Sequence, residues 1–177
     1  LEPDECKLAE LILYVAERLL SDPKGGSTKI NKVLFAAEFA HMRAYGHPIT
    51  GVPYQKLEHG PAPQRLVPVR DQLIARGAAE LVRDRYLGYP LDRLVPRRPV
   101  AMETFTETEL ALVDEAVDAL RDKTAAEASE LSHREIGWRM VEMNQVIPYE
   151  TAFLAPAFEV TGSIVEHAKE LADRLGR

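Results

Sequence analysis

The chain has 177 residues, 46% of them hydrophobic and 28% charged, which is ordinary globular composition and enough for one domain with a real core. Its net charge of −6 argues against bulk nucleic-acid binding, which needs a positive field. The lone cysteine, Cys6, excludes an internal disulfide and any cysteine-rich metal site.

The apolar runs, such as 33–37 and 110–113, fall far short of the roughly 20 residues of a membrane span. The acidic first six residues lack the basic start and apolar stretch of a signal peptide. The expected location is therefore cytoplasmic.

Helical spacing of Leu8, Leu11, Ile12, Val15 and Leu19 predicts a first helix over about 3–20, ended by the breaker cluster 21–26. A second helix is predicted from Thr28 to Tyr45, stopped by Gly46, His47 and Pro48. Its apolar residues cover most of its circumference, which marks a helix packed on several sides and the centre of the core. Residues 48–63 are irregular, with a short extended piece over 52–58. The prolines after Gly60 make the stretch a rigid, shaped loop.

A third helix is predicted over about 63–76, with Leu66, Val69 and Leu73 inward and Gly77 as its stop. Residues 78–98 read as a hairpin, with strands at 79–83 and 91–95 joined through 86–90. Thr106 with Glu109, and Thr124 with Glu127, are capping boxes that open two further helices. Ser132 with Glu135 has the same spacing. Ser163 with Glu166 opens a final helix over 163–175. The expected fold is mainly α, a helical bundle-like single domain spanning 1–177 with a small β-hairpin.

The charge is uneven. Arginines 83, 85, 93, 97 and 98 face only Asp84 and Asp92, whereas 103–135 is strongly acidic. The plain reading is two solvated faces that partly neutralise each other. A cluster of guanidinium forks on a hairpin also suits an acidic protein surface, which makes Arg93, Arg97 and Arg98 candidate partner contacts.

No catalytic constellation emerges. The histidines, at 41, 47, 59, 133 and 167, make no helical zinc pair, and Glu130 with His133 is a single Glu-x-x-His spacing where a di-iron site needs two. No Gly-x-Ser-x-Gly elbow occurs. Gly25 to Lys29 lacks phosphate-loop order and reads as a helix stop followed by Ser27 or Thr28 as the next cap. Nothing calls for a metal or cofactor.

Three clusters remain: 29–35, 58–63 and 131–138. Each has a structural explanation: a core helix with its lysines in water, a bend where Gly60 permits an unusual backbone angle, and an apolar plug at Trp138. Trp138 is expected to be largely buried, with its indole nitrogen or His133 bonded to backbone near Gly60. Shaped loops on rigid scaffolds often carry binding, so Tyr54, His59 and Pro61 are candidate partner contacts.

In this order the clusters resemble the SocA-like antitoxin domain, also called the Panacea domain, found in bacterial toxin–antitoxin pairs and near phage-associated genes. Lys29 to Ala37, including Lys32 and Phe35, is similar to the family's Lys-Leu-x-Lys-Leu-Leu-Tyr-Phe-Ala motif, with Phe35 and Ala36 where Tyr-Phe is usual. Gly60, Pro61 and Ala62 resemble its Gly-Pro-Val turn. Ser132, His133 and Trp138 resemble its Ser/Thr-His-x-x-x-x-Trp element, and Gly46 to Thr50 its Gly-x-Pro-Ile-Thr. The resemblance spans about 8–150 and leaves the helix at 163–175 outside.

It implies a mainly helical, non-enzymatic protein that neutralises a toxin by direct binding or by presenting it to a protease. Two other readings stay open. One is a nucleic-acid-linked regulator using the basic 83–98 hairpin; the other is an enzyme with a site near His59 and His133.

Overall fold

The computed structural model describes residues 2–154. Helix α1 (Glu5–Arg18) is capped by Asp4, whose carboxylate accepts from the Lys7 amide at 2.8 Å, and runs on into a 3-10 turn at Leu19–Ser21. Helix α2 (Ser27–Tyr45) follows, then strands β1 (Tyr54–Gln55) and β2 (Ala62–Pro63), helix α3 (Leu66–Ala75), and strands β3 (Ala79–Tyr86) and β4 (Tyr89–Pro96). Helices α4 (Glu107–Leu120), α5 (Ala125–His133) and α6 (Ile136–Met140), strand β5 (Val146–Ile147) and a 3-10 turn at Tyr149–Phe153 complete the described chain. It is mainly helical, with two small antiparallel sheets.

Helix α2 is the centre, as its sequence requires. It touches α1, α4, α5, β2, β4 and the 3-10 turn at 149–153. Its C-terminus closes on Gly46, whose left-handed φ of 78° lets the amide return to Met42 O. Phe35 and Phe39 pack at 4.2 Å between ring centroids, Phe39 stacks on Tyr149 at 4.9 Å, and Tyr54 meets Phe39 edge-on at 5.8 Å.

A helix enclosed this way is exposed only at its two ends, at Thr28 and at Ala44–Tyr45, and here the sequence reading is overturned. Lys29 is 0% exposed; its ammonium meets Asp22 Oδ2 at 2.5 Å and the Arg121 carbonyl at 3.2 Å. Lys32 is 2% exposed and donates to the His59 carbonyl. Glu38 is fully buried and accepts from the amides of Ile49 (2.7 Å) and Thr50 (3.1 Å) and from the Thr50 hydroxyl. The apolar coverage of the helix pointed to this outcome, because a residue on an all-round packed helix is interior whatever its charge.

Other local corrections follow from backbone geometry. The N-cap of α2 is Gly26, not Ser27 or Thr28, and the Ser27 hydroxyl instead donates to Asp92 O at 2.9 Å. The capping boxes at Thr106 and Thr124 both form. The one at Ser132 does not: Ser132 lies within α5, its hydroxyl bonded to Ser129 O at 2.6 Å, and α6 starts from Glu135.

The hairpin strands run longer than their apolar pattern indicates. Leu87 (φ 49°) and Gly88 (φ 86°) make a two-residue turn with both central residues left-handed, whose twist matches the strands it joins. Strand β1 lies between β2 and β5 in the second sheet, a pairing of 54–55 with 146–147 that two-residue strands do not announce. The helix expected at 163–175 lies outside the described residues.

Two predictions test the interior charges. Asp22→Ala is expected to cost about 3–5 kcal/mol by stranding the Lys29 ammonium, and Lys29→Met added to it is expected to recover much of that loss, measured by denaturant unfolding. Burial pushes the Glu38 carboxyl up to about 7, against the pull of its donors, from an ordinary value of 4.5. Between those values the folded chain holds a proton that the unfolded chain has lost, so the contribution is full below about 4.5 and declines as pH rises to 7. The stability of the wild type relative to Glu38→Gln is expected to fall by about 3 kcal/mol across that window.

Candidate functional site

Three sequence clusters that are far apart in the chain meet beside the first turns of α2. Gly60 sits at φ 101°, where a side chain is strained, and a Cβ there would overlap both the Lys32 ammonium and the Ser132 hydroxyl. The glycine is thus required twice, by its backbone angle and by the lysine occupying its side-chain space. The Lys32 bond to His59 O ties α2 to this turn.

From the other side, α5 and α6 deliver His133 and Trp138, stacked at 4.2 Å and 17°. The indole nitrogen donates to Leu57 O at 3.2 Å, and His133 bonds the Glu58 backbone, so both residues hold the loop leading into Gly60. Trp138 is half-buried rather than enclosed. Lys56 Nζ lies 4.3 Å from the centre of its ring and donates to Val141 O at 2.9 Å. The backbones of Lys56 and 144–145 exchange two hydrogen bonds, fixing the 142–145 turn against the same edge.

Beside this turn opens a cleft of about 450 Å³ whose lining includes Asn31, Lys32, His59, Gly60 and Met143. Burial lowers Lys32 to about 8 and, with the nearby Lys32 charge, lowers His133. Asn31 Oδ1 and His133 Nε2 are buried with no partner among the described residues. Met140, Met143 and Val146 stand exposed at 66%, 48% and 47% along the adjoining 140–146 segment. Among the described residues no group of His, Cys, Asp and Glu could hold a metal ion.

The other candidate contacts are placed differently. Tyr54 is 0% exposed within the aromatic core and Pro61 is buried in the bend; of that trio only His59 is exposed. Arg93 is an internal strut. Its guanidinium donates to the carbonyls of Asp22 (2.9 Å), Pro23 (2.7 Å) and Gly25 (3.1 Å), and to Asp84 at 2.9 Å. Arg97 pairs with Glu80 across the hairpin and Arg98 with Glu10 of α1. Three of the five arginines that read as one basic patch thus have separate partners within the chain, while Arg83 and Arg85 are exposed.

The model of the antitoxin SocA-like, Panacea domain family matches residues 30–139, well over half of the sequence. The chain belongs to this SocA-like antitoxin family. The match takes in Lys32, Phe35, Gly60, His133 and Trp138, so the α2 and Gly60 sides of the cleft belong to the SocA-like domain, whereas Met143 and Asn144 lie just past its end. Comparison with curated proteins and with solved structures gave no match.

Gly60→Ala tests how tightly the site is built. It is expected to cost about 2 kcal/mol or more, read from the melting temperature, because the new Cβ displaces Lys32 and the left-handed backbone loses its glycine.

Proposed function

We propose that this chain is an antitoxin-like protein that neutralises a cognate toxin by direct contact, without chemistry of its own, and that it acts in the cytoplasm as a single folded domain. The observation that carries the reading is a solvent-facing cleft lined by Lys32 and Gly60 of the family's motifs, with exposed methionines beside it. A buried motif would serve the fold alone, whereas this one leaves a shaped and partly apolar opening. Methionine suits such a surface because its flexible, polarisable side chain adapts to a partner. His59, at the rim, is the contact residue retained from the loop.

Presentation of the toxin to a protease is the rival mechanism within the same role. A nucleic-acid role is weakened by the internal pairing of Arg93, Arg97 and Arg98. An enzyme near His59 and His133 is weakened by the stacking of His133 on Trp138 and its tie to the Glu58 backbone.

The test is to express the product of the adjacent reading frame alone and together with this chain. Growth arrest that co-expression relieves, with the toxin level undiminished, is the expected result. Relief accompanied by loss of the toxin points to proteolysis, and arrest that persists overturns the reading. Met143→Glu is expected to weaken rescue while leaving the melting temperature within about 2 °C, because an exposed side chain carries little of the fold.

A further inference from the structure

The interior charges of α2 are not equally satisfied. Lys29 has the Asp22 carboxylate, and Glu38 has amide and hydroxyl donors. Lys32 has one hydrogen bond among the described residues, to a neutral carbonyl, although an ammonium carries three donors. A buried cation without a counter-ion is costly, and the cost is tolerated where something is gained by keeping it. Here the ammonium lines an open cleft beside Asn31, whose side-chain NH2 group is a donor.

We propose that the cleft receives a carboxylate from the protein partner, seated on the Lys32 ammonium with the Asn31 amide beside it, while Met143 packs against the partner's adjoining apolar side chain. This rests on the antitoxin reading and specifies its contact. A carboxylate fits better than a polyanion for three reasons. The cleft offers one buried ammonium rather than a row of cations. Glu58 stands exposed on the rim and repels a chain of phosphate charges more strongly than a single carboxylate. The whole chain carries −6. The titratable groups around the ammonium are Glu58 and His59 on the turn and His133 on α5.

The interaction would hold Lys32 charged in the complex. Since burial lowers the free ammonium to about 8, affinity must fall as pH rises above that value.

The experiment measures calorimetric affinity of the purified chain for the adjacent-frame product between pH 7 and 9.5, for the wild type, Lys32→Met and Asn31→Asp, with melting temperature as the fold control. The wild type is expected to lose about tenfold in affinity across this range. Lys32→Met is expected to bind about tenfold or more weakly at pH 7 and to lose the difference from the wild type as pH rises. Asn31→Asp places a carboxylate of the chain's own beside the ammonium, and is expected to weaken binding without lowering the melting temperature. A merely structural Lys32 would leave the Asn31→Asp affinity unchanged.

A folded Lys32→Met that binds within twofold of the wild type overturns the proposal and leaves the antitoxin role standing. If Lys32→Met does not fold, Asn31→Asp decides: affinity within twofold of the wild type overturns the proposal, and weakened binding supports it. A wild-type chain that does not bind the product overturns the antitoxin reading and the carboxylate contact together.

Discussion

The rest of the structure depends on the enclosure of α2. A helix packed on all sides cannot send a charged side chain into water, yet this one carries Lys29, Lys32 and Glu38. Each has to be met inside, and the groups that meet them lie in three different connections: Asp22 in the turn after α1, His59 in the bend before Gly60, and Ile49 with Thr50 in the loop after α2. Apolar packing places the helix, and its charges then dictate where the irregular chain must go. Fully matched interior polar groups fix one arrangement of their surroundings, and a partly matched one marks where the arrangement is open to something else.

Much of this was legible in the sequence. The apolar stripe of α1, the all-round apolar surface of α2 and the two threonine capping boxes each act through neighbours within a few residues, and each appears where its spacing put it. What was not legible depends on distant partners. Nothing near Arg93 indicates that carbonyls some seventy residues earlier would collect its guanidinium, so five close arginines looked like a surface patch. The strands at 54–55, 62–63 and 146–147 are too short to show a period. Tyr54 and Pro61 looked exposed because a proline-rich loop is generally superficial, whereas this one folds back against the aromatic core.

The site was half legible. Its residues were singled out as three separate clusters, but their meeting was not visible, and each had a local explanation that proved incomplete. The lysines were assigned to water although the helix had no wet side to give them. Gly60 was understood as a backbone requirement, and its second reason, the lysine lying where a Cβ would be, needs the third dimension. The spacing of the family's motifs thus records an architecture: a lysine, a glycine and a stacked histidine–tryptophan pair that constrain one another across a hundred residues.

The hairpin shows the opposite condition. Toward its tip the ribbon rests on nothing: Leu87 and Tyr89 are almost wholly exposed, while Ala79 and Leu94 at its base are buried. Between them stands Arg93, stapling the ribbon to the turn that precedes α2. Just past the staple, Leu91 lies against Gly26 and the Asp92 carbonyl takes the Ser27 hydroxyl; toward Leu87 and Gly88 a substitution meets little packing, so the tip is where lineages of this protein can diverge, lengthen or shorten without unsettling the helices. It is the part of the molecule with evolutionary slack, and Leu91 marks the boundary at which that slack ends.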